Sequence, residues 1–375
     1  MAPEGIRTAS NSCLGHGLRQ DWTAVVGWSR LGLMRRIVIL LEGHESRLQA
    51  KTATGVLRYC PGEVVAVYDS ACAGKTAEEV LGVGGELPVV DSLEGLDANA
   101  LLLGIAIAGG ALPAPWYPVI RDAIARRYRV INGLHTFLND DPELVRLATQ
   151  HGARLDDLRR PPAGVTVSEN AAKNSRSFRV HTVGHDCSIG KMFVALELTA
   201  ALRSGGHDAR FVATGQTGMM IADNGVAVDA VVSDFIAGAV EAEVLRDDDH
   251  DFLVIEGQGS LVHPQFSGVT LGLLHGCAPQ AQVLCLDASR SAVRGHEVPF
   301  PPLWDLIALY ERMGRVLFPT RVVGIAVNTS AFDEADALKI KQGLEQESGL
   351  PVTDVIRYGT EPLIEAILSE RRRRQ

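Results

Sequence analysis

Val180-His181-Thr182-Val183-Gly184-His185-Asp186-Cys187-Ser188-Ile189-Gly190-Lys191-Met192 joins a β-branched run to a glycine-bounded polar turn. From Lys191 onward Met192, Ala195, Leu196, Thr199 and Leu202 recur at helical spacing until Gly205-Gly206 ends the pattern. Strand, tight loop and helix in that order are the setting in which a phosphate-binding turn makes physical sense. Gly184 and Gly190 let the backbone close around an anion, the helix start offers unpaired N–H groups, and Lys191 adds a positive charge. The reading is that Gly184, Asp186, Cys187, Ser188, Ile189, Gly190, Lys191 and Met192 hold a phosphorylated cofactor, either CoA or a nucleotide.

Five residues separate the two glycines, one more than in the common spacing. Met192 and Phe193 follow the lysine, where magnesium-nucleotide sites place Ser or Thr. Either Ser188, Asp186 or Glu256 holds magnesium instead, or the phosphates belong to a cofactor in which they do not react, as in CoA.

Outward from this loop, short apolar runs alternate with helical stretches, which predicts an α/β fold with parallel sheets. Strands are expected over 178–183, 210–214, 251–255, 283–287, 322–328 and 351–356. Upstream they are expected over 37–41, 64–68, 101–105 and 129–132, with helices over 116–128 and 141–151. Pro161-Pro162-Ala163-Gly164 marks a boundary near 163. The organisation expected is a Rossmann-like parallel-sheet domain over 34–163 followed by a P-loop NTPase-like α/β domain over 164–375. Residues 1–33 show no period and read as a disordered arm or an upstream translation artefact, with Met34-Arg35-Arg36 leading into the first strand.

A chain of 375 residues is too long for one ordinary core, in keeping with two domains. The net charge of −9, without a basic stripe interleaved with aromatics, argues against nucleic acid. No apolar run reaches 18 residues and no C-x-x-C pair occurs, so the expectation is a cytoplasmic protein with reduced thiols, no membrane span and no export signal. Two-domain α/β enzymes of this size usually self-associate, and a symmetric homo-oligomer is expected. No metal-binding spacing such as H-E-x-x-H is present.

Ligands of open α/β sheets gather beyond the carboxyl ends of strands. Glu256-Gly257-Gln258-Gly259-Ser260 puts an acid and two glycines there, suited to orienting a metal, a water or an amine. Gly215-Gln216-Thr217-Gly218 is a turn rich in hydrogen-bonding groups, and Gln216 and Thr217 are candidates for substrate contact. Arg290, Arg294 and His296 share one loop, in which the arginines could clamp carboxylates. Asn328 could bind an adenine edge, and Gly109, Gly110 and His135 leave two strands of the first domain on one sheet edge.

The segments Gly184–Met192, Gly215–Gly218, Glu256–Ser260, Gly109-Gly110 and Gly133-Leu134-His135, in this order of domains, resemble the DUF1611 family over about residues 35 to 368. That resemblance implies a Rossmann-like domain followed by a P-loop domain, the latter similar to dethiobiotin synthetase. Some family members are D-glutamate N-acetyltransferases, which implies acetyl transfer from acetyl-CoA to the amine of an acidic amino acid, D-glutamate being the best match. Glu256 or His185 would accept the amine proton, backbone N–H groups of a glycine turn would hold the thioester oxyanion, and Arg290 and Arg294 would bind the substrate. Phe193 departs from the family, which commonly has Thr there, and favours CoA over a metal-bound nucleotide. The alternative is an ATP- and Mg2+-dependent carboxylate-activating ligase or kinase; a third is a cofactor-binding regulator without turnover.

Overall fold

The computed structural model describes residues 35–375 apart from 45, 47, 48 and 108, so the reading of residues 1–33 lies outside it. Twelve strands form among the described residues: β1 (Ile37–Leu40), β2 (Val64–Tyr68), β3 (Val89–Val90), β4 (Ala100–Leu103), β5 (Arg129–Asn132), β6 (Arg154–Asp157), β7 (Phe178–Gly184), β8 (Ala209–Val212), β9 (Phe252–Ile255), β10 (Ala281–Asp287), β11 (Arg321–Asn328) and β12 (Val352–Thr353). They make two six-stranded sheets, ordered β3-β2-β1-β4-β5-β6 and β12-β11-β10-β7-β9-β8. Every strand pair within them is parallel. Helices cover both faces of such sheets, which is why central strands such as β1 and β7 are buried along their whole length; β1 reads as a continuous apolar run, whereas β7 also buries Arg179 and His181.

The first sheet has the Rossmann order, with its switch of direction between β1 and β4. In the second sheet the switch falls beside β7, and Gly184 at its end opens the polar loop. Two edge strands and one helix exceed what the sequence predicts. β3 pairs over two residues only, and β6 is the polar run Arg154-Leu155-Asp156-Asp157. Gln216–Ala222 is a helix where only a turn was expected, and the strand expected over 351–356 pairs only at Val352–Thr353.

One apolar core runs through both sheets, joining Ile37 and Leu102 to Phe178, Met192 and Met220. The seam between domains is made where helix Lys51–Tyr59 crosses helix Gln216–Ala222. Gly55 allows this approach, since a Cβ there would stand 2.9 Å from Thr217 Cγ2. Beside it the buried hydroxyls of Thr52 and Thr217 share a hydrogen bond of 2.9 Å, and Tyr59 donates to Glu197 at 2.9 Å. Thr52→Val would leave the Thr217 hydroxyl buried without its partner, so a loss of about 1–3 kcal/mol in urea unfolding is expected.

No helix among the described residues is long and apolar enough to cross a membrane. Cys60, Cys187, Cys277 and Cys285 are free thiols.

Candidate functional site

The loop after β7 is held open by its own backbone. Ser188 and Gly190 adopt left-handed φ of 54° and 103°, and Lys191 begins a 14-residue helix. A Cβ on Gly184 would fall 2.8 Å from the Cys285 carbonyl oxygen, so only glycine admits this close pass of β7 and β10. Tyr310 fixes the strand end by donating to the Gly184 carbonyl at 2.6 Å and accepting from Leu261 N at 3.1 Å. Among the described residues, the amides of Ser188, Ile189, Gly190, Lys191 and Met192 have no protein acceptor. A row of free N–H groups at a helix start, with a lysine beside it, fits an anionic phosphate.

Lys191 is buried and donates to the Asp186 carbonyl at 2.5 Å, and burial lowers its ammonium to about 8. Met192 is buried in the core, so its position contributes no oxygen to the loop. Cys187 remains a thiol at neutral pH, pushed up by burial and by Asp186.

Asp186 is fully buried and organises the loop. Its carboxylate accepts from Cys187 N at 2.7 Å, Arg290 Nη1 at 2.7 Å and Arg294 N at 2.9 Å. Burial alone would raise its pKa, yet the hydrogen bonds from Arg290, Arg294 and Cys187 outweigh it and hold the group below the ordinary carboxylate range. Asp186, Cys187 and His263 bring three potential metal-ligating atoms within 4.8 Å of one another. His263 Nδ1 accepts from Gln265 N at 3.1 Å, however, so its other ring nitrogen carries the proton and faces Asp186 at 3.8 Å. The Asp186 carboxylate and His263 Nδ1 thus already accept hydrogen bonds within the protein.

Glu256, at the end of β9, is buried at 3% exposure. One carboxylate oxygen accepts from Thr214 N at 2.9 Å and Gly215 N at 3.1 Å, the other from Gln258 Nε2 at 3.0 Å. Burial nevertheless raises it to about 7, against the pull of Thr214 N, Lys51, Gly215 N and Lys191. The neighbouring Gly257 lies so close to β7 that a Cβ would meet the Thr182 carbonyl oxygen at 1.6 Å. The Gly215 and Gly257 amides are committed to Glu256 and the Thr182 hydroxyl, which leaves neither as an oxyanion donor.

Two sequence readings change at this point. His185, read as a possible base, stacks on Phe300 with centroids 4.1 Å apart, and its Nε2 accepts from Asp287 N at 3.0 Å. Burial lowers it to about 4, so its ring is neutral and its accepting nitrogen occupied. Arg290, read as a substrate clamp, instead spans Asp186, the Cys187 carbonyl at 2.9 Å and the Ser188 carbonyl at 3.1 Å, bracing the loop. Arg294 contributes its amide to Asp186 while its exposed guanidinium has no hydrogen-bond or ion-pair partner among the described residues.

Of the remaining candidates, Thr217 is spent on the seam, and Gln216 lies against Gly133, whose Cβ would be 2.9 Å from Gln216 Cγ. Gly109 takes a left-handed φ of 77° in the loop before Gly110. Gly110 accepts from His135 N at 2.8 Å, and His135 faces Asp229 of the second domain at 3.8 Å. The same Asp229 pairs with Arg159, which also donates to the Gly133 carbonyl at 2.7 Å. Asn328 ends β11 in register with Asp287, and its side-chain oxygen accepts from Ser330 N at 3.0 Å.

Lys51 was not read from the sequence. It opens helix Lys51–Tyr59 of the first domain, is open to solvent, and is crowded by both domains. Burial of its surroundings lowers its ammonium, against the attraction of Glu256 and Cys187, while Arg294 and Arg159 repel it.

A Rossmann-like sheet joined to a phosphate-loop sheet, with a buried carboxyl at their seam, defines a two-domain α/β protein. Residues 70–161 match a Rossmann-like domain described as a domain of unknown function, DUF1611_N, and residues 166–364 match the P-loop domain DUF1611_C. A DUF1611 family protein from Anabaena variabilis is 40% identical, covers 89% of this chain and 99% of its own, and superposes with a TM-score of 0.85. Two curated relatives bear the name D-glutamate N-acetyltransferase. The one from Tritonibacter scottomollicae is 34% identical over 88% of this chain and 97% of its own length; the one from a Pseudoalteromonas species is 38% identical over 72% and 81%. The chain belongs to the DUF1611 family.

Proposed function

We propose that the protein is an N-acetyltransferase that carries acetyl from acetyl-CoA to the amine of an acidic amino acid, D-glutamate being the best single acceptor. The observation that carries this reading is Glu256, a buried carboxyl raised to about 7 and fixed by three hydrogen bonds at the seam of the two domains. A base near working pH is what an ammonium acceptor requires. The names of the two relatives support the same chemistry, and the free amides from Ser188 to Met192 with Lys191 suit the CoA phosphates.

Acetyl-CoA supplies an activated thioester carbonyl. Glu256, as carboxylate, takes one proton from the acceptor's ammonium and so exposes the nitrogen lone pair. The C–N bond forms as the C–S bond breaks, the departing sulfur takes a second proton from nitrogen, and Glu256 releases its own to solvent. Lys191 and the loop amides hold the phosphates away from the reacting carbon, and Arg290 keeps that loop in shape through Asp186.

Incubation with acetyl-CoA and a panel of D- and L-amino acids, read by mass spectrometry, is expected to give N-acetyl-D-glutamate as the principal product. Release of ADP and phosphate with ATP, Mg2+ and the same panel, without acetyl-CoA consumption, would replace this reading with carboxylate activation.

A further inference from the structure

Glu256 acts at the seam, so whatever binds the acceptor must lie there too, and a dicarboxylic amino acid brings two anionic groups. Among the described residues, Lys51 Nζ and the Arg294 guanidinium have no hydrogen-bond or ion-pair partner. Other cations nearby are committed: Lys191 to Asp186, Arg290 to the loop, and Arg159 to Asp229 and Gly133. Leaving two solvent-accessible cations unpaired, Lys51 acting on the buried Glu256 and Arg294 acting on Lys51, is the arrangement of a dianion site waiting for its ligand.

Lys51 is placed there by a continuous chain of contacts. Gly215 N and Thr214 N bind Glu256, helix Gln216–Ala222 starts directly after Gly215, and Thr217 on that helix bonds Thr52, the residue beside Lys51. Of the cations around Glu256, Lys51 acts on it more strongly than Lys191 does. Arg294 is tied to the phosphate loop by its amide, which donates to Asp186 at 2.9 Å, and its charge is felt by both Lys51 and Cys187.

We infer that Lys51 and Arg294, one from each domain, form the carboxylate subsite of the acceptor: Lys51 takes the α-carboxylate and thereby sets the amine against Glu256, and Arg294 takes the side-chain carboxylate. The assignment rests on the acetyl-transfer reading for the identity of the acceptor, and it makes Lys51 the residue through which the Rossmann-like domain takes part in substrate selection.

Binding and kinetics of Lys51→Met, Lys51→Arg and Arg294→Ala test it. Lys51→Met is expected to raise KM for D-glutamate and for the monocarboxylate D-norvaline by about 10- to 100-fold each, leaving KM for acetyl-CoA within about twofold. Lys51→Arg is expected to recover most of this. Arg294→Ala is expected to raise KM for D-glutamate similarly while sparing D-norvaline. Calorimetry of D-glutamate without acetyl-CoA separates the two readings. If no acetylated product forms with any amino acid but D-glutamate binding still needs Lys51, the subsite stands and the transfer reading falls. Unchanged D-glutamate affinity in folded Lys51→Met, or no D-glutamate binding by the unaltered protein, overturns the subsite.

Discussion

Glu256→Gln is expected to lower kcat for acetyl transfer by about 10²- to 10⁴-fold, the range a positioned general base contributes, while the affinity for acetyl-CoA stays close to that of the unaltered protein. Glutamine keeps an oxygen for Thr214 N and Gly215 N but cannot take a proton. In the unaltered protein the rate should rise with pH through a midpoint near 7, because only the ionised carboxyl is a base and burial holds its pKa there. The groups that set this midpoint are the Lys51 and Lys191 ammoniums and the two backbone amides, all of which favour ionisation against burial.

The same raised pKa makes a stability prediction of definite sign. A carboxyl whose folded pKa lies above its unfolded value stabilises the fold fully below about 4.5 and loses that contribution as pH rises through about 7. The shift corresponds to about 3 kcal/mol once the group is fully ionised. Glu256→Gln should therefore unfold at no lower temperature than the unaltered protein at pH 8, with the difference in its favour shrinking toward pH 5. A variant that is inactive yet at least as stable at pH 8 would assign the loss to proton transfer; a variant that loses both would assign Glu256 a structural role.

The architecture was legible because central parallel strands are buried on both faces and so carry apolar runs, as Ile37–Leu40 does, although Phe178–Gly184 is equally buried and includes Arg179 and His181. Strand β6 escaped because an edge strand is free to be polar, and β3 because two residues carry no period. The phosphate loop and Glu256 stood out because each lies in one short segment. Arg290 was visible as a charge but not in its role, since its partner Asp186 is 104 residues away in sequence. Lys51 has no motif of its own; its position beside Glu256 comes from the seam that Gly55, Thr52 and Thr217 create. His185 belonged to the loop in sequence, yet Phe300 and the Asp287 amide turn it to a structural use.

Lys191→Ala is expected to weaken acetyl-CoA binding by about 10- to 100-fold, the usual cost of losing a charge-assisted contact to phosphate. The lysine has two separable effects, because its ammonium lies beside both the loop amides and Glu256. Toward the phosphates, its loss should act through KM and only with a donor that carries them. S-acetylpantetheine, which ends before the first phosphate, should be used by Lys191→Ala with an unchanged KM. Toward Glu256, removal of a positive charge disfavours the carboxylate, so the midpoint of the rate profile should move above 7 with both donors alike. In the unaltered enzyme, Lys191 itself loses its proton near 8 when the loop is free of ligand, so KM for acetyl-CoA, but not for S-acetylpantetheine, should climb above that pH. Equal losses of kcat with the two donors and no change in KM would move Lys191 from the phosphates to the reacting carbonyl, and the loop amides would then need a different anion.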